Sequence, residues 1–121
     1  MKTGIELIAE ERQRQIDVEG YSEQHDSQHK TSEFIRAAIA YIESAKIGVN
    51  CWELGNDDAS SLLARKTEMG KAGVPWKGAF KASTDVRDLV KAGALIAAAI
   101  DRLQKEPKAA EMADRITKIQ S

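Results

Sequence analysis

The sequence predicts an all-α protein, a compact bundle of four to five helices, and three observations carry that reading. Apolar residues recur at alternating steps of three and four, most clearly through Val86, Leu89, Val90, Gly93, Ile96, Ala97, Ile100 and Leu103. Capping residues precede such segments, and Gly or Pro follows them. No strand-and-turn series and no repeat at a solenoid period competes with this pattern. The 121 residues are 42% hydrophobic and 31% charged, which is read as a single domain over 1–121, too apolar for general disorder.

Thr3-Gly-Ile-Glu6 has the form of a capping box, so a first helix is expected from there to about Glu19, with Gly20 as its terminator. Its apolar stripe of Ile5, Ile8, Ala9 and Ile16 is interrupted by Arg12 and Gln15, poor core residues that point to a polar site or an interface. Residues 20–31 lack either period and read as a polar loop. Thr31 or Ser32 can cap a second helix whose Phe34, Ile35, Ala38, Tyr41, Ile42 and Ala45 form one face, ending at Gly48. Asn56, Asp57 or Asp58 can cap a short third helix over about Ala59–Met69, before a glycine-rich loop over about 70–82. Ser83 or Thr84 caps the central helix. Its Ala92, Gly93, Ala94 and Ala97–Ala99 remove bulk, permitting close approach of a neighbouring helix or a second subunit. A short amphipathic helix after Pro107, with Ala109, Met112, Ala113, Ile116 and Ile119, is too small to stand alone and is expected to dock on the bundle or on another chain. Self-association is the corresponding expectation.

A net charge of −1 gives no global attraction to nucleic acid or acidic membranes, and the longest apolar run, Leu89 to Ile100, is too short to span a bilayer. Lone Cys51 cannot close an internal disulfide and no leader-like segment opens the sequence, so a cytoplasmic setting is expected, with Cys51 a buried structural thiol. Charge is nevertheless uneven: residues 1–33 hold four basic and eight acidic side chains, and residues 65–91 hold seven basic and three acidic. Brought together, an acidic side able to hold a divalent metal and a basic side able to receive phosphate oxygens would suit a nucleotide; apart, they are two solvated faces.

Within those regions, His25, Asp26 and His29 are possible transition-metal ligands, though Asp26 can equally accept backbone amides or pair with Arg12. Glu6 and Glu10 stand one helical turn apart, as do Asp85 and Asp88, a spacing at which carboxylates can share a cation. Lys71, Pro75, Trp76, Lys77, Phe80 and Lys81 interleave basic and aromatic groups, which suits either phosphate and base contacts or the anchoring of a loop to the core. No phosphate-loop or dinucleotide fingerprint and no nucleophile elbow occurs.

The segments Ile5–Gln15, Glu19-Gly-Tyr21, His25-Asp26 and Arg87–Ala97 together resemble a group of small bacteriophage and prophage proteins, which implies a phage accessory role in a bacterial cytoplasm. The acidic first helix and the Asp-bearing central helix distantly resemble MazG-like nucleotide pyrophosphohydrolases, all-α enzymes that use helical carboxylates and magnesium. Their ExxE and ExxD motifs are met here only by Glu10-Glu11, the Glu6/Glu10 pair and Asp85-Val-Arg-Asp88. That resemblance implies Mg or Mn on Glu10, Glu11 and Asp88, with Arg87 or Lys91 neutralising phosphate. The expected ligand is thus a nucleotide or nucleotide-derived molecule, contacted by candidates Arg12, Gln15, His25, Asp26, Trp76, Lys77, Arg87 and Lys91. The competing expectation is a non-catalytic anti-defence protein that sequesters a host nucleotide signal or inhibits a host protein.

Overall fold

The computed structural model describes residues 1–18, 30–56, 58–73 and 80–121, and within them forms five helices and no strand. Helix α1 spans Gly4–Asp17. Thr3 and Glu6 close its capping box reciprocally, as the sequence indicates, and Arg14 lies in the last turn, where a cation complements the helix dipole.

Helix α2 runs Thr31–Glu53 and departs from expectation at both ends. Lys30 occupies the N-cap without a side-chain bond, and the Thr31 hydroxyl instead accepts from Arg102 Nε at 3.1 Å. Gly48 does not terminate the helix. It lies buried inside it, where a Cβ would stand 1.9 Å from Asp85 Oδ1, so its lack of a side chain provides room for a neighbour. The turn comes at Gly55, at φ +84°.

Helix α3, Ala59–Gly73, begins where Asp58 Oδ1 accepts the Ser61 amide at 3.2 Å. It continues past the expected start of the glycine-rich loop. Gly70 is again helical, with the Phe80 ring where its side chain would be, at 2.0 Å from an ideal Cβ.

Helix α4, Asp85–Gln104, is capped by Thr84 Oγ1, which accepts the Arg87 amide at 3.2 Å. Its buried apolar face is Val90, Ala92, Ala94, Leu95, Ala98 and Ala99. The row of larger aliphatics read as core, Val86, Leu89, Ile96, Ile100 and Leu103, instead faces solvent. Ile35 and Ile42 of α2 are likewise exposed, while Phe34, Ala38, Tyr41 and Ala45 are buried. The cause is shape. Alanine faces on α2 and α4 let the two backbones come close, which multiplies dispersion contacts. Phe34, Tyr41, Phe80 and Leu95 fill the remaining space, with the Tyr41 and Phe80 rings 4.8 Å apart.

In this arrangement α2 packs on both α4 and α3, and α1 lies across α4. Helix α5, Pro107–Gln120, starts with Pro in its first turn and Glu106 as N-cap. Among the described residues it contacts α4 alone and buries none of its residues, so it sits at the edge of the bundle. No helix among the described residues is long and apolar enough to cross a membrane.

Candidate functional site

Where α1 crosses α4, Gly93 leaves a notch for Ile8, and a Cβ there would lie 2.6 Å from Ile8 Cδ1. Seating Ile8 turns the same face of α1 inward one turn later. Glu11 is therefore 1% exposed and Gln15 3% exposed, charged and polar groups in positions that ordinarily hold apolar residues.

Glu11 is compensated from two helices. Arg14 donates Nε to Glu11 Oε1 at 2.8 Å and Nη2 to Oε2 at 2.7 Å, a two-pronged pair one turn along α1. Arg87 of α4 donates Nη2 to Oε1 from the opposite side. Burial pushes the Glu11 carboxyl up, but the hydrogen bonds and charges of Arg14 and Arg87 outweigh it and hold the group below its usual 4.5. Gln15 Nε2 donates to Glu11 Oε2 at 3.3 Å, while Gln15 Oε1 is buried with no hydrogen-bond partner among the described residues.

Lys91 stands one turn beyond Arg87. Its Nζ donates to the Lys81 carbonyl at 3.3 Å and lies 5.4 Å from the centre of the Tyr41 ring. Burial lowers its pKa below 10.5, and the charges of Arg87 and Arg14 act in the same direction, against Asp88 and Glu11. Arg12 faces the same helix from α1, with Nη2 4.0 Å from Asp101. The seam thus gathers Arg12, Gln15, Arg87 and Lys91, four of the residues singled out from the sequence, and adds Arg14.

Deeper along α4, Asp88 is fully buried. Ser44 Oγ donates to Asp88 Oδ2 at 2.8 Å, the Ser83 amide donates to Oδ1 at 3.0 Å, and Lys66 Nζ lies 2.9 Å from Oδ2. The same ammonium donates to Asp85 Oδ1 at 2.9 Å and to the Ser83 carbonyl at 2.6 Å. Trp52 Nε1 donates to Asp85 Oδ2 at 3.2 Å. Burial pulls Lys66 down, but Asp88 and Asp85 outweigh it and raise its pKa above 10.5. The Asp85/Asp88 pair does share a cation, and that cation is a lysine of the same chain.

The three carboxylates considered for magnesium or manganese do not converge. Glu10 is on the outer side of α1, paired with Lys2 at 2.6 Å; Glu11 is held by two arginines and Asp88 by Lys66. Among the described residues no group of three or more His, Cys, Asp or Glu is placed to hold a metal. This donor set does not fit a hard divalent ion, which needs several oxygens free of competing cations. Cys51 is buried, with Arg65 Nη1 donating to Sγ at 3.3 Å. His25, Asp26, Trp76 and Lys77 lie outside the described residues.

Sequence reasoning missed Arg14, Ser44 and Lys66. Ser44 left a trace, because it falls at helical spacing within the buried row Phe34, Ala37, Tyr41. A hydroxyl there signals a polar partner on another helix. Lys66 left none, since nothing near it in sequence indicates that a lysine will be enclosed.

The chain matches no family model, no curated protein and no solved structure. Functional inference therefore rests on the two polar networks and the surfaces around them.

Proposed function

We propose that this protein binds a small phosphate-bearing molecule, a nucleotide or a nucleotide-derived signal, along the seam between α1 and α4, and holds it without cleaving it. The observation that carries this reading is the pair of cations that α4 presents there. Arg87 and Lys91 stand one turn apart beside buried Glu11, and the Arg87 side chain is 39% exposed. Glu11 orients the Arg87 guanidinium, and guanidinium forks match phosphate oxygens in a bidentate manner. An arriving phosphate offsets the mutual repulsion of Arg87 and Lys91 and favours the charged form of Lys91. Sequestration is favoured over metal-dependent hydrolysis because Glu11 and Asp88 are already neutralised by protein cations. The same proposal has copies of the chain assemble, supported by the aliphatic row that α4 leaves in solvent.

The test is incubation of the purified protein with nucleoside triphosphates and cyclic dinucleotides, with and without magnesium or manganese. Free ligand and products are measured by chromatography before and after denaturing the protein. The expected outcome is ligand depleted from solution and recovered intact, with depletion weakened in Arg87→Ala and Lys91→Ala. Metal-dependent products would replace sequestration by pyrophosphohydrolysis. Neither depletion nor product overturns the nucleotide reading.

A further inference from the structure

The self-association proposed above needs a surface, and α5 defines one. A 14-residue helix that buries nothing is marginal in water, because helices of this length draw their stability from packing. Yet α5 is built to pack. Met112, Ile116 and Ile119 fall on one stripe at steps of four and three, and they are 42%, 51% and 84% exposed. Beside the stripe run ion pairs internal to the helix, Glu111 with Arg115 at 2.9 Å and Asp114 with Lys118 at 3.0 Å. These pairs already satisfy the charges that flank it.

A matching stripe lies on α4. Leu89, Ile96, Ile100 and Leu103 repeat at steps of seven, four and three, each between 41% and 49% exposed, opposite the alanine face that packs on α2. The stripe is about 21 Å long at 1.5 Å per residue, and the apolar row of α5 about 10 Å. Within one chain α5 does not cover it.

We infer that the occupant is a second copy of this chain: α5 of each protomer lies along the Leu89–Leu103 stripe of the other, in a reciprocal two-fold pair. The four-and-three spacing shared by Ile96, Ile100, Leu103 and by Met112, Ile116, Ile119 permits side-chain interdigitation over about 10 Å. A two-fold arrangement covers both stripes of both chains, as closed symmetry requires. These seven side chains alone offer on the order of 600 Å² per copy, and neighbouring groups bring this close to the roughly 800 Å² per partner of a standard interface. Arg115, which shares a face with Met112 and Ile119, is already paired with Glu111, so closure strands no lone charge.

The experiment is sedimentation equilibrium of the full chain across a micromolar concentration series, beside Ile116→Asp and Ile100→Asp. Both positions are solvent-exposed in the single chain, so far-UV circular dichroism and a cooperative melt establish that each variant folds. Wild type is expected at twice the 13.3 kDa chain mass. Each variant is expected to dissociate at least about thirtyfold more readily, the level of an interface hot spot. As a second measurement, Ile100→Cys protein mixed with Ile116→Cys protein should form the mixed disulfide in preference to either like pair. Monomeric wild type overturns both self-association and this surface, leaving the stripes to a different protein. A dimer indifferent to both Asp variants and lacking the mixed disulfide overturns this surface alone, with the exposed Ile35, Ile39 and Ile42 of α2 then the next candidates.

Discussion

Replacing Lys66 with Met removes a buried charge while keeping most of the side chain's volume. In the native protein the ammonium lies 2.9 Å from both Asp85 Oδ1 and Asp88 Oδ2 and is itself 3% exposed. After the change Asp85, at 24% exposure, can rehydrate. Asp88 cannot, and among the described residues keeps the Ser44 hydroxyl and the Ser83 amide as donors. Removing one partner of a buried pair costs about 3–5 kcal/mol, and two surviving donors on Asp88 place Lys66→Met near the lower end, about 3 kcal/mol at neutral pH. For a chain of this size that is a fall in melting temperature of about 10–15 °C. Urea unfolding followed by circular dichroism gives the value directly. Lys66→Met/Asp88→Asn, which leaves no unpaired buried charge, should recover at least half of the loss. Because the Lys66 pKa is raised above 10.5 in the folded state, its contribution is complete below that value and is lost as pH rises through the folded pKa. Wild type and Lys66→Met should therefore converge only in strong alkali. A loss below about 1 kcal/mol, or a double variant no better than the single one, would refute the counterion role.

Glu11→Gln tests the other network: the carboxyl is held below 4.5, so its contribution is present above that value and disappears as pH falls through the folded pKa. Wild type should lose its advantage over Glu11→Gln as pH falls below the ordinary carboxyl value of 4.5 and through the folded pKa, whereas parallel stability–pH curves would sink this account. Gly70→Ala should destabilise by about 1–3 kcal/mol despite alanine's better helix propensity, because the Phe80 ring occupies the space; a raised urea midpoint would contradict it. Thr84→Ala removes the acceptor for the Arg87 amide at the head of α4 and should lower stability by about 1 kcal/mol. An unchanged midpoint would show that cap to be ineffective.

The α1 capping box, the Thr84 cap and the Pro107 start were legible because each is a local hydrogen-bonding pattern written in adjacent residues. The orientation of α4 was not. Periodicity shows that a helix has an apolar stripe, but not which side has a neighbour, and here close alanine packing prevailed over the larger aliphatic row. Gly48 and Gly70 read as breakers because a glycine needed for close contact and one needed for a turn look alike in sequence; only the positions of Asp85 and Phe80 separate them. At the seam, Arg12 and Gln15 announced themselves as polar residues on an otherwise apolar face. The fate of Glu11 and Asp88 depended on Arg87 and Lys66, which reach them from other helices, and the metal expectation had no means of anticipating those partners.

The bond between Glu11 and Arg87 joins residues 76 apart, whereas Ser44 to Asp88 spans 44 and Lys66 to Asp85 only 19. Loop-closure entropy favours the shorter connections first, so α2, α3 and α4 can assemble before α1 arrives. Docking of α1 then follows the assembly of α2, α3 and α4, and in reverse α1 lifts away before those three separate. The phosphate compound proposed above, held at Arg87, would bear on both sides of that closure through the bond from Arg87 to Glu11. Amide hydrogen exchange along α1 should slow when the ligand is present, while the α2 and α4 amides that open only on global unfolding change less under conditions where that route is not limiting. The proposed ligand would then act as a latch, and the time the protein spends fully closed would be set by what the surrounding solution supplies.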